Sequence, residues 1–262
     1  MPVEVVHWNP RRPLFEGPIG RLLPIRRKVN NFGDLLGPEI VRRMLSQRLA
    51  SRRSVAGSGR LLAVGSILAM ARPGDVAWGI GANGKSLEKE YALGDISFRA
   101  VRGPLTRRFV VEHGGSCPEV YGDPGLLVSR LWSDNELAGP ASDVTIVPNL
   151  NDLPHYDLSD PRILLPTKPL AECLSRIKNS EFVIGSSLHA IVVAESFGIP
   201  ARLMRSGAEP EFKYQDYYNG SGREDFNFAT SVKQAIAMGG EPPPRWDPTP
   251  LLEAFPIDMW SP

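Results

Sequence analysis

Cysteine is scarce in this sequence. Only Cys117 and Cys173 occur among 262 residues. They have no metal-ligand spacing and suggest no disulfide framework, so both are expected as reduced thiols. Long apolar runs are also missing. The longest, Leu61 to Ala71, is interrupted by Gly65 and Ser66 and falls well short of the roughly 20 residues that a membrane span needs. The opening residues, MPVEVVHWNP, lack the basic-then-apolar order of a secretory leader. These absences predict a cytoplasmic protein. No cluster of His, Cys, Asp or Glu has metal-ligand spacing, so neither a metal nor another resident cofactor is expected. The arginines are not interleaved with exposed-looking aromatics, which argues against nucleic acid as a partner.

The sequence does have turns and an uneven charge. With 25 Gly and 25 Pro it must turn often, while 42% hydrophobic residues suffice for a sizeable core. Residues 1–60 carry 12 Lys/Arg against 4 Asp/Glu, and the remainder carries 18 against 25. That basic first quarter suits an anionic lipid surface or a phosphate-bearing substrate; a solvated arginine-rich face is the alternative.

Hydrophobic patterning predicts strands alternating with helices. Val3 to Trp8 reads as a strand, and a helical pattern follows Asn31 and Asp34, either of which could cap it. RLLAVGSIL and DVAWGIGANG read as buried strands ending in glycine turns. Phe98 to Val101 reads as a strand feeding a helix that has Pro104 in its first turn. Residues 133–143 are polar and turn-rich, a plausible linker. A second series then begins with Val144 to Val147, continues through RILLP as a strand and a helix over 169–179, and ends in EFVIGSSLHAIVVAESFGIPARLM. The expected fold is α/β, with two Rossmann-like lobes, residues 1–132 and 143–262, facing a cleft. The proline-rich tail is expected to wrap the surface or hang loosely. In such sheets ligands sit beyond the carboxyl ends of strands, beside helix amino termini, where anions are favoured.

At those turns the chain resembles the polysaccharide pyruvyl transferase family. Asn31-Phe32-Gly33-Asp34 looks like its amino-terminal signature, and Val64-Gly65-Ser66 and Gly79-Ile80-Gly81 look like its central glycine turns. Val101 to Thr106 resembles its Arg-Gly/Asp-x-x-Ser/Thr segment, and Gly122-Asp123-Pro124 its Gly-Asp-Pro turn. Gly185 to His189, with Ala194, Gly198 and Pro200, resembles its carboxy-terminal element. The six matches run in order over residues 31–205. The resemblance implies a glycosyltransferase-B-like fold, phosphoenolpyruvate as co-substrate and a ketal-linked pyruvate as product. The implied acceptor is a sugar of an exopolysaccharide repeat unit, lipid-linked at the inner face of the cell membrane. Two departures stand out. Ser187 occupies a position where many members have arginine, so another cation, Lys213 or Arg205, must serve the donor phosphate. Asn149 stands where a histidine is usual.

Phosphoenolpyruvate carries a phosphate and a carboxylate, so its pocket needs cations and backbone donors. Arg102, after a strand, offers a two-point guanidinium fork, or else an interdomain ion pair. His189, in the first turn of a helix, can hydrogen-bond phosphate or give a proton to a leaving oxygen. Asp34 is the candidate base or acceptor binder, with a plain helix cap as the alternative. Gly65, Ser66 and Gly81 would let backbone amides approach the anion, joined by Ser187 and Lys213. Asn31, Asn149 and Tyr217 are the candidate acceptor contacts; Tyr214, Tyr218 and Trp78 either stack on sugars or cover core. Asp123 and Glu195 read as structural. Two rival functions share these residues: a sugar-nucleotide glycosyltransferase, for which Glu195 would bind ribose, and a non-catalytic anion- or sugar-binding homologue, favoured by Ser187.

Overall fold

A computed structural model of the chain describes residues 3–13, 17, 25–48 and 57–260. It opens with β1 (Glu4–Val6), followed by an antiparallel ribbon of β2 (Arg11–Pro13) and β3 (Arg26–Lys28). Helix α1 (Phe32–Arg48) comes next; its apolar residues at helical spacing, Phe32, Leu36, Ile40 and Met44, all point inward and are buried. Strands β4 (Arg60–Leu62), β5 (Val76–Ile80) and β6 (Ser97–Val101) then pair with β1 in one parallel sheet of order β1-β4-β5-β6. Four consecutive residues of β5, Ala77 to Ile80, are buried, the mark of a strand covered on both faces. Helix α2 (Pro104–Glu112) starts on Pro104, whose fixed φ suits a first turn. A short α3 (Val128–Leu131) completes this part.

A second parallel sheet of order β7-β8-β9 uses β7 (Ser142–Ile146), β8 (Ser180–Gly185) and β9 (Ala201–Leu203), linked by α4 (Leu170–Lys178) and α5 (Leu188–Ser196). RILLP forms no full strand: Ile163 makes an isolated bridge to Ile146, and Pro161 and Pro166 limit the pairing around it. Beyond β9 come α6 (Phe212–Gly220), α7 (Val232–Met238) and α8 (Thr249–Glu253).

A shared core joins the two sheets. It holds Leu36 of α1, Trp78 of β5, Val183 of β8, Ile191 of α5 and Tyr214 of α6. Helix α5 is buried almost all round, as expected of a helix central to a core. The proline-rich tail wraps back and is held. Trp246 donates its indole N–H to the Tyr121 carbonyl at 2.9 Å, Trp78 donates to the Leu251 carbonyl at 2.8 Å, and Phe255 packs edge-on against Trp78.

Candidate functional site

Turns beyond strands of both sheets converge on a cavity of about 530 Å³. Ser66 arrives after β4, Asn83 and Lys85 after β5, Asn149 and Asn151 after β7, and Ser187 and His189 after β8. The start of α1 adds Asn31 and Asp34, and the start of α6 adds Lys213. Seven residues expected in a site therefore share one cavity: Asn31, Asp34, Ser66, Asn149, Ser187, His189 and Lys213.

Two glycines set the spacing of Asp34 and His189. A side chain at Gly33 would collide with the His189 imidazole, so the third residue of the Asn-Phe-Gly-Asp turn must be bare. Gly65 has φ +98°, a left-handed conformation that suits glycine, and a Cβ there would sit 3.9 Å from both Asp34 Oδ1 and His189 Cε1. The two side chains thus flank the Gly65 turn.

Their environments push them in opposite directions. Burial raises the Asp34 carboxyl to about 7, against the pull of the Asn31 amide, which donates to its Oδ2 at 2.7 Å. Burial depresses the His189 imidazole below its ordinary value, with Asp123 opposing and Arg102 and Lys213 adding to the shift. His189 Nε2 lies 3.8 Å from Asp123 Oδ2, and both atoms are buried without a hydrogen-bond partner among the described residues. The other oxygen of Asp123 accepts the Gly125 N–H at 2.8 Å, so the turn role read from sequence holds, but half of the carboxylate faces the imidazole.

Cations line the same cavity. Glu209 gathers Lys213 at 2.9 Å, Lys85 at 2.5 Å and the Asn151 amide at 3.1 Å. Burial lowers the Lys213 pKa although Glu209 favours its charge. Burial also works against the Glu209 charge, yet these partners hold its carboxyl below the ordinary range. Lys213 thus shares the cavity with Ser187, where the missing arginine called for a cation. Arg205, the other candidate, borders a different cavity and pairs with Glu211.

Three expected site residues stand elsewhere. Arg102 is fully buried behind the wall: its Nε donates to Asp216 Oδ2 at 3.0 Å, Nη1 to the Ser66 hydroxyl at 2.9 Å and Nη2 to the Ala82 carbonyl at 3.1 Å. Thr106 grips the same Asp216 through its N–H and hydroxyl, so the Arg-Gly-Pro-x-Thr segment is a clamp on α6 and not a ligand fork. Gly81 gives its N–H to the Gly65 carbonyl at 3.0 Å, and a side chain there would strike the Arg102 guanidinium, so its amide is not available to an anion. Tyr217 is buried in the core with its hydroxyl on Glu195, which excludes a direct acceptor contact; Tyr214, Tyr218 and Trp78 are core residues too. Sequence reasoning missed Lys85, Glu209 and Asp216. The Gly81-Ala82-Asn83-Gly84 loop after β5 was a signal for Lys85; nothing local marked the other two.

Among the described residues, no three His, Cys, Asp or Glu gather as a metal-binding group, and no helix is long and apolar enough to cross a membrane. No curated protein matches the chain. Solved structures that resemble it include a functionally uncharacterised protein of Klebsiella pneumoniae subsp. pneumoniae NTUH-K2044, 10% identical, with 77% of this chain and 89% of that one covered at a TM-score of 0.46. The model of the polysaccharide pyruvyl transferase family matches residues 54–206, more than half of the sequence and a span that holds Ser66, Lys85, Asp123, Ser187 and His189. The chain belongs to the polysaccharide pyruvyl transferase family.

Proposed function

We propose that the protein transfers the pyruvyl group of phosphoenolpyruvate to two hydroxyls of a sugar in a lipid-linked polysaccharide repeat unit, releasing phosphate and leaving a ketal. The observation that carries this reading is the cavity's pairing of a carboxyl raised to about 7 with a depressed imidazole, both sharing it with the buried Lys213. Groups pushed apart in this way divide acid and base work between them.

The chemistry needs a proton on the donor's methylene carbon, which makes a methyl group and leaves C2 electron-poor. A sugar hydroxyl then attacks C2 and loses its proton, the C2–O bond to phosphate breaks, and a second hydroxyl closes the ketal and loses its proton too; of the two protons released, one restores the acid and the other leaves on the phosphate. Asp34, protonated near neutral pH, is the acid for the methylene carbon. His189, neutral there, is the base for the hydroxyl. This reverses the assignment made from residue type alone, because burial moves both groups. Asp123 steadies the imidazolium that forms. Lys213 and Lys85, with the free N–H groups at the start of α5 beside Ser187, hold the anionic donor. Asn31 and Asn149 remain the acceptor contacts. The reading includes a glycosyltransferase-B-like pairing of two Rossmann-like lobes, supported by two parallel sheets whose strand ends share the cavity.

The rivals lose their residues. Glu195, the ribose binder of a sugar-nucleotide enzyme, is buried against Arg223 at 2.6 Å. Ser187, the mark of a non-catalytic homologue, has Lys213 beside it. Incubation with phosphoenolpyruvate and a panel of sugar glycosides, read by mass spectrometry, tests the proposal. One ketal-bound pyruvate and one phosphate per transfer are expected. Phosphate-free turnover of sugar nucleotides, with phosphoenolpyruvate untouched, would overturn it.

A further inference from the structure

A second cavity, of about 480 Å³, lies at the carboxyl edge of the second sheet, where β7 ends at Ile146 and β9 runs on into Met204. Its volume is in the range of small-molecule sites. It shares walls with the first cavity. Asn149 and Asn151 line the first, whereas Asp152 and Tyr156, a few residues on, line the second. Likewise Gly207 faces the second and Glu209 the first. The Ser186 hydroxyl ties the wall together: it accepts the Asn149 N–H at 2.9 Å and donates to Asp152 Oδ2 at 2.6 Å.

Asp152 is only 3% exposed, and its two oxygens are unequal. Oδ2 also accepts the Ser206 hydroxyl, at 2.7 Å, while Oδ1 is buried with no partner among the described residues. Oδ1 lies on the side of Gly207, 4.0 Å from where a Cβ there would be, so it borders the gap lined by both residues. A buried carboxylate oxygen without a donor is uncommon and calls for one from a ligand. The half-buried Tyr156 ring, with Ile146, Ile163 and Met204, supplies an apolar floor. Asp157, Asp160, His155 and Arg205 also line it; Asp160 pairs with Arg162 and Arg205 with Glu211. The buried Asp152 carboxylate, with Asp157 on the same cavity, disfavours a phosphate and can accept a hydrogen bond from a hydroxyl. An aromatic and aliphatic floor with carboxylate acceptors suits a sugar ring.

We propose that this cavity is a subsite for a neutral glycosyl unit of the acceptor, next to the sugar that is modified. It rests on the pyruvyl-transfer reading for the identity of the polymer but not for the sugar chemistry. The two are separable by experiment. Saturation-transfer NMR on the intact chain with lactose, cellobiose and maltose reads binding without turnover. Binding of at least one disaccharide is expected, weakened in Tyr156→Ala about tenfold, as for loss of an aromatic contact face, and weakened also in Asp152→Asn. In transfer assays, Tyr156→Ala should raise KM for a disaccharide acceptor more than for a methyl glycoside. No disaccharide binding, binding that both variants leave intact, or displacement of the disaccharide by uridine diphosphate would overturn the subsite. Disaccharide binding that depends on Tyr156 without any pyruvyl transfer would leave the subsite standing and remove the proposed reaction.

Discussion

Asp123 Oδ2 and His189 Nε2 face each other, buried, with no hydrogen-bond partner among the described residues. When the imidazole takes a proton, that carboxylate is the nearest group able to share the charge. Asn at 123 keeps the turn, since its carbonyl can still accept the Gly125 N–H. Asp123→Asn should therefore fold normally yet lower kcat on the order of a hundredfold, within the range of acid–base contributions. Activity that needs a neutral imidazole is lost as pH falls through the His189 pKa. Asp123 raises that pKa, so its loss should move the acid limb of the profile to lower pH; an unmoved limb would leave Asp123 only its turn. With Asp34 as the proposed acid, the alkaline limb should fall near pH 7, because that acid must keep its proton. Linkage gives the same group a cost. A carboxyl held up from 3.8 to about 7 destabilises the fold increasingly as pH rises between those values. At about 1.4 kcal/mol per unit, that is a few kcal/mol at alkaline pH. Asp34→Asn should thus melt higher than the parent at pH 8, lose that advantage as the pH falls, and be inactive. Equal melting at pH 8 would contradict the buried setting given to Asp34.

A buried ion pair ties helix α6 to the end of the first sheet. Arg102 and Asp216 form an ion pair with both side chains 0% exposed, and Thr106 adds two more bonds to the same carboxylate. Removing one partner leaves the other charge buried and unpaired, at a cost of about 3–5 kcal/mol. Arg102→Ala and Asp216→Ala should each lower the denaturation midpoint strongly, and the loss of activity should follow the loss of fold. A stable, inactive Arg102→Ala would restore the ligand role expected from its strand-end position. Arg102 shows how far sequence reading reaches. Its place after β6 and before a Pro-started helix was legible, because the strand and helix signals are local. Its partner lies 114 residues away in the chain, inside a run of tyrosines, and nothing local announced it. Ser187 and Lys213 show the opposite case. A gap in a motif called for a cation, and the start of α6 delivers one into the same cavity as the start of α5. Lys213→Ala should raise KM for phosphoenolpyruvate, and Ser187→Arg in that background should lower it again. A double variant no better than the single one would mean that the two positions do not serve one anion.

At the scale of the whole molecule, the shared core and the returning tail tie both sheets around the cavity, while the basic ribbon stands apart from that core. Arg11, Arg12, Arg26, Arg27 and Lys28 are all exposed on it. Of the other basic residues of the first quarter, Arg42, Arg43 and Arg48 sit on α1 and Arg60 starts β4, while Arg21, Arg52 and Arg53 lie outside the described residues. The ribbon rises from the cavity rim: Trp8 and Asn31, which line the cavity, flank it, and Asn9 and Asn30 pair across its base at 2.9 and 3.0 Å. A lipid-linked acceptor presents its sugar within reach of an anionic bilayer surface, so cations at the mouth of the site would hold the protein where its substrate is. Such attraction acts between exposed charges and weakens with salt, because the screening length falls from about 10 Å at 0.1 M to about 3 Å at 1 M. Replacing the five ribbon cations with serine should abolish sedimentation with vesicles rich in phosphatidylglycerol. It should slow transfer to a lipid-linked acceptor and spare transfer to a water-soluble glycoside. The parent should lose vesicle binding as salt rises, and with it only the lipid-linked activity. Equal salt sensitivity with both acceptors would place the effect inside the cavity, at Lys85 and Lys213, and leave the ribbon as a solvated surface.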